Sequence, residues 1–219
     1  MGQTGTIEVV VRSAARADLS AVSHTLARAF EDDPVFAYLL PKNASRRRRL
    51  RICFGALLRR DGLPPGAVDI ALVNGRIAGA AIWRPPDRLQ LGSIQLAAVP
   101  GYLACFQREF RRAGRFAGVC VREHPRAERH WYLQFIGTEP ALHGQGVGAA
   151  LLRSRLARLD EEGSAAYLES SNPANMPIYE HFGYEATGLL DLPQDAPPVM
   201  RMWRPAARPE SVGSGLKSE

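Results

Sequence analysis

The sequence predicts a single α/β domain on a mixed, mostly antiparallel central sheet with flanking helices and a helical insert. Three observations carry that reading. Residues 130–137, HWYLQFIG, form a strand-like run of aromatic and β-branched side chains, and Thr138-Glu139-Pro140 closes it because proline cannot continue a ladder. A helix follows in which Leu152, Leu156 and Leu159 recur at i, i+4 and i+7 until Gly163, then a second strand at 165–170, so this strand–helix–strand unit makes two parallel neighbours. Elsewhere the strands pair antiparallel: 68–73 and 76–83 flank Asn74-Gly75, a dipeptide suited to the positive φ angles of a type I′ turn, and 186–192 with 199–203 form a last pair.

Taken in order, 7–12 is a β-branched first strand. Residues 15–29 place Leu19, Val22 and Leu26 at helical spacing, with Asp18 favouring the helix start through the dipole. Glu31-Asp32-Asp33-Pro34 breaks that helix, and 35–40 makes a short second one that Pro41 stops. Asn43 or Ser45 caps a third, whose apolar face is Leu50, Cys53, Phe54, Leu57 and Leu58. The four arginines 46–49 spread around its first turn and are read as solvated, not as a nucleic-acid patch. After a loop at 61–66 and the hairpin, residues 91–99, 102–110 and 116–121 show helical periodicity interrupted by Pro100-Gly101 and by Gly114, which predicts two or three helices inserted at 87–126. Residues 1–205 are read as one domain, long enough to bury about 70 % of the unfolded surface, and 206–219 as a disordered tail.

The formal charge of +6 admits a nucleic-acid partner, but only Lys42 and Lys217 among the 28 basic residues are lysine and the arginines are scattered, so the charge reads as compositional bias and no nucleic acid is expected. Cys53, Cys105 and Cys120 are odd in number and lack metal-ligand spacing, which suits buried thiols in a reducing, cytoplasmic setting. No apolar run reaches 18 residues, so no membrane partner is expected. His124, His130 and His143 contain no i, i+4 pair, so no metal is expected either.

The loop His143-Gly-Gln-Gly-Val-Gly148 is the chemical centre of the sequence. Its glycines let the backbone approach a ligand, and free N–H groups at a helix start favour phosphate. Gly144-x-Gly146-x-x-Ala149, with Glu169 about 20 residues on, fits a loose dinucleotide-binding pattern. Two features oppose that: residues 139–143 separate strand from glycine, and too little chain follows Ser170 for the further strand–helix units such a fold needs.

The combination WYLQFIGTEPALHGQGVG and YLESSNPANMPIYEHFGYE instead resembles the acetyl-CoA site of the GNAT acetyltransferases, most closely the puromycin N-acetyltransferases and their relatives. His143 departs from the glutamine or arginine usual there. The resemblance implies the GNAT acyl-CoA N-acyltransferase fold, acetyl-CoA as co-substrate, and N-acetylation of a small-molecule primary amine by direct attack in a ternary complex. An aminonucleoside antibiotic of the puromycin kind is one such acceptor, which would make the activity one of antibiotic resistance. Acetylation of a protein amine and a non-catalytic acyl-CoA sensor are the alternatives.

Carried onto this chain, the resemblance assigns coenzyme binding to Phe135, Ile136, Gly137, Thr138, His143, Gly144, Gln145, Gly146, Val147, Gly148 and Ala149: main-chain groups of Ile136 and Thr138 pair with the pantetheine arm, an N–H near Phe135 or Ile136 meets the oxyanion, and the amides of 145–149 bind the pyrophosphate. Asn172 and Asn175 either touch coenzyme or cap the helix before Tyr179. Tyr179 is the expected general acid for the departing thiolate, and Glu169 the expected base, through water or directly, or else a structural carboxylate. The acceptor pocket is assigned to Asp32, Asp33 and Phe36, whose acids either draw a cationic amine or only cap a turn, and to Trp83, which either walls the cleft or packs in the core.

Overall fold

The computed structural model describes residues 7–41, 43–60, 66–86 and 97–207. Seven strands, β1 Val10–Ser13, β2 Val68–Val73, β3 Arg76–Arg84, β4 His130–Thr138, β5 Ala165–Ser170, β6 Glu185–Leu189 and β7 Met200–Arg204, form one sheet in the order β1-β2-β3-β4-β5-β7-β6. Only β4 and β5 run parallel; all other neighbours are antiparallel, as expected. The β2–β3 turn has Asn74 at φ 49° and Gly75 at φ 72°, the two positive angles of a type I′ turn that an Asn-Gly pair supplies.

Alternation along the strands divides the core. One face carries Val68, Ile70, Ala80 and Ile82 against α1 Leu19–Ala29, α2 Pro34–Leu39 and α3 Arg46–Arg60, with α4 Val99–Phe106 and α5 Phe110–Glu123 alongside. The other carries Ala71, Ala81, Trp83, Leu133, Ala166 and Leu168 against α6 Val147–Glu161 and the short α7 Met176–His181. A buried ion pair holds α6 on the sheet: Arg155 Nε donates to Asp69 Oδ2 at 2.7 Å, and Arg158 reaches Oδ1 at 3.1 Å.

The insert differs from its expected form in two ways. Pro100 lies in the first turn of α4 instead of interrupting a helix, since a first-turn proline lacks only an N–H that has no intrahelical partner. Gly114 does not break α5, because the helix is held by its amphipathic packing and one interior glycine costs only about 1 kcal/mol. Most of the expected 91–99 helix and residues 208–219 of the expected tail lie outside the described residues.

The arginine run is also corrected. Arg47 and Arg48 are exposed, but Arg46 and Arg49 are buried. Arg46 donates to the carbonyls of Glu31, Leu40 and Pro41, and Arg49 to those of Cys105 and Phe106 and to Glu109. Helical spacing puts two of the four inward, where they close the backbone of the α1–α2, α2–α3 and α4–α5 connections.

Candidate active site

The parallel β4–β5 pairing stops at Leu133 opposite Leu168, whereas β3 continues to pair with β4 as far as Thr138. A bulge makes the difference: Ile82 pairs with Phe135 and Trp83 with Leu133, so Gln134 is the extra residue and β4 bends away from β5. Beyond the bulge the direction of the backbone follows from one bond. Glu139 N donates to Ala78 O across β3, so by alternation Phe135 and Gly137 also face β3, and Ile136 and Thr138 present their N–H and C=O groups to the opened gap. Among residues 135–138, Ile136 and Thr138 alone offer main-chain groups to the gap.

The end of β4 is fixed from α1. Glu139 accepts from Arg28 Nε at 2.7 Å and Thr25 Oγ1 at 2.7 Å; burial would raise its carboxyl pKa, but those bonds and the Arg28 charge outweigh burial and lower it. A 3-10 turn at Pro140–Leu142 then leads into the glycine loop. His143 N donates to Pro140 O and Gln145 N to Leu142 O, so the Gln145 amide, assigned to phosphate from the sequence, is committed to the turn. Gly144 at φ 75° and Gly146 at φ 81° reverse the chain, α6 begins at Val147, and its first intrahelical bond is Ala150 N to Gly146 O. The N–H groups of Val147, Gly148 and Ala149 therefore remain at a positive helix end. His143 itself is exposed.

Polar groups gather where β5 ends. Glu169, beyond the last β4–β5 pair, accepts from Tyr132 Oη at 3.0 Å on Oε2 and from Tyr167 Oη at 3.1 Å on Oε1, while burial pushes its carboxyl pKa up. Two residues on, Ser171 Oγ donates to Asp33 Oδ2 at 2.5 Å. Asp33 also caps α2, taking the Phe36 N–H on Oδ1 at 3.0 Å, and burial raises its pKa. Among the described residues no cation pairs with Asp33. Tyr179, 7 % exposed on α7, has its phenol pushed up by burial and by the Asp33 charge. Gly183, at φ 82°, ends α7.

Other assigned residues fall elsewhere. Asp32 is exposed beside this cluster, whereas Phe36 is buried in an aromatic group with Phe30, Phe54 and Phe135. Trp83 does not wall a cleft: it is wholly buried under α6, with the Arg155 guanidinium 5.8 Å from its ring centre, because alternation along β3 sets it on the same face as Ala81. Asn172 caps the 3-10 turn at Pro173–Asn175 by accepting from Ala174 N at 3.0 Å, and Asn175 is exposed.

Residues 26–184 match the model of the Acetyltransferase (GNAT) family. The chain belongs to that family. GNAT relatives include an uncharacterized N-acetyltransferase of Schizosaccharomyces pombe, 28 % identical over 195 residues that cover 81 % of this chain and 75 % of the relative. Among solved structures, the histone acetyltransferase HPA2 and related acetyltransferase of Corynebacterium glutamicum superposes with a TM-score of 0.70 at 26 % identity, covering 93 % of this chain and 99 % of that one. The Drosophila melanogaster polyamine N-acetyltransferase shares the fold, with a TM-score of 0.53 at 17 % identity over 90 % of this chain and 98 % of that one. The protein is thus a GNAT acetyltransferase, and acetyl-CoA is its family's co-substrate.

Sequence reasoning passed over Tyr132, Tyr167, Cys120 and Ser171. Tyr167 carries a legible signal, since it shares strand alternation with Glu169; the bulge at Gln134 breaks the alternation that would place Tyr132, and Cys120 sits on a helix whose docking no local pattern reveals.

Proposed function

We propose that this protein acetylates a small-molecule primary amine directly from acetyl-CoA, with Tyr179 as general acid and Glu169 as base. The observation that carries the reading is the set of groups around the opened gap: Glu169 and Asp33 as partly buried carboxylates, Tyr179 as a protonated phenol, and Ile136 with its main chain aimed into the gap. The co-substrate supplies the acyl group as a thioester. The amides of Val147, Gly148 and Ala149 fit its pyrophosphate: they are unpaired within the helix and approached over glycines without side chains, and no acidic residue stands in the first turn of α6.

Around that anchor each residue has a distinct task. Ile136 N–H is the donor suited to the charge that develops on the carbonyl oxygen. Glu169, its pKa raised by burial, takes a proton from the acceptor ammonium directly or through water, and the neutral amine attacks. Asp33 and the neighbouring Asp32 draw a cationic acceptor toward the gap. Tyr179, still protonated at neutral pH, donates to the leaving thiolate.

Thiol release from acetyl-CoA measured across puromycin, agmatine, spermidine and a lysine-bearing peptide tests the substrate class. Turnover of the small amines is expected. The likeness to the C. glutamicum histone acetyltransferase-related structure favours a second reading, a peptide amine, and turnover confined to the peptide would establish that one. Binding of acetyl-CoA without turnover on any amine would sink both. Tyr179→Phe is expected to lower kcat roughly 10² to 10⁴-fold; unchanged turnover under rate-limiting chemistry removes Tyr179 from the acid's role.

A further inference from the structure

We propose that Tyr132 and Tyr167 are positioning residues that hold Glu169 ionised and aimed at the acceptor, and that α5 of the insert exists at this site to hold the two phenols in place. The proposal rests on the reading of Glu169 as base. Tyr132 on β4 and Tyr167 on β5 are direct register partners, and their rings lie 5.8 Å apart. One hydroxyl donates to each oxygen of Glu169, at 3.0 and 3.1 Å. An ionised carboxylate is the stronger acceptor on both oxygens, so a matched pair of donors favours the anion.

The rest of the wall comes from the end of α5, with Cys120 in its last turn and His124 as its C-cap four residues on. Cys120 lies close enough to Glu169 to favour its anion. His124 packs edge-on against both tyrosines, with ring centres 5.0 and 4.9 Å away. Its own orientation is set by a chain: His130 Nδ1–H donates to Glu128 O at 2.7 Å, which leaves His130 Nε2 to accept from His124 Nε2–H at 3.0 Å. Of the charged groups around Glu169, Arg201 is its register partner on β7 and favours the anion, while Glu123 on α5 lies 3.8 Å from Arg201 and moderates it. The phenols therefore add to a field that Arg201 supplies only in part.

The test reads the carboxyl directly. Infrared titration of the free enzyme follows the protonated-carboxyl band of Glu169, identified by its loss in Glu169→Gln. Tyr132→Phe and Tyr167→Phe keep the rings and each remove one donor; each is expected to raise the Glu169 midpoint by about one pH unit, with Cys120→Ala giving a smaller shift in the same direction. The acid limb of kcat/KM, read with the best amine of the panel above, should move with the midpoint while KM for acetyl-CoA stays within about twofold. Since the titration needs no turnover, an inactive variant still decides the matter. A midpoint unmoved in both tyrosine variants overturns the proposal. An acid limb that survives Glu169→Gln strikes instead the assignment of Glu169 as base, a failure read from a different experiment.

Discussion

His124 and His130 make an Nε2-to-Nε2 contact that two protonated imidazoles cannot make, and both rings are buried. Burial first, then the charges of His130 and Arg126, pushes the His124 pKa from 6.5 down to about 3, and burial also lowers that of His130. A folded pKa below the unfolded one means that the unfolded chain binds more protons between those values. The stability tied to neutral His124 is therefore present above pH 6.5 and is lost as pH falls toward 3. Denaturant titrations of the parent protein and of His124→Phe should converge as pH drops through that window, and a constant difference would contradict the assignment. Asp33 presents the other residue-scale case, where one side chain serves two ends. Its Oδ1 caps α2 and its Oδ2 meets Ser171, so Asp33→Asn preserves the cap while removing the charge. A cationic acceptor should lose about tenfold in KM with little change in melting temperature. An unchanged KM would reduce Asp33 to a helix cap.

Among the elements, the β4–α6 unit depends on how closely α1 lies on the strand. A Cβ built on Gly137 would meet the Ala29 Cβ at 2.7 Å and Phe30 Cε2 at 3.0 Å. Ala29 carries its methyl on the backbone and cannot swing aside, so Gly137→Ala must push α1 off β4. The substitution should cost about 1–3 kcal/mol in urea unfolding and raise KM for acetyl-CoA, because Thr138 and the Glu139 tie to Arg28 move with the strand. Wild-type stability would show instead that α1 has room to shift. The same closeness explains why the helix–strand order could be read locally while the contacts could not. Periodicity marks the inward face of α1, but it carries no record of which strand atom that face will touch.

For the molecule as a whole, a co-substrate that binds the native state alone shifts the folding equilibrium. At about 100 Kd of acetyl-CoA the expected stabilisation is about 2.7 kcal/mol, a rise of roughly 5–10 °C in melting temperature for a chain of this size. No rise at saturating concentration would contradict coenzyme binding at the α6 N-terminus. At this scale the division between sequence and structure is clear in particular residues. By itself the sequence determined the elements and their pairing sense, because strand alternation, the Asn74-Gly75 turn, the glycines at 144 and 146 and the helical spacing of Leu152, Leu156 and Leu159 are local restrictions on backbone and side-chain direction. The tertiary structure alone decided which side chains share a site. The bulge at Gln134 opens β4 from β5, the docking of α6 buries Trp83, helix packing buries Arg46 and Arg49, and the end of α5 brings Cys120 to Glu169 and His124 to the two tyrosines. Those outcomes depend on contacts between segments far apart in the chain, whose geometry is set only when the layers close on one another.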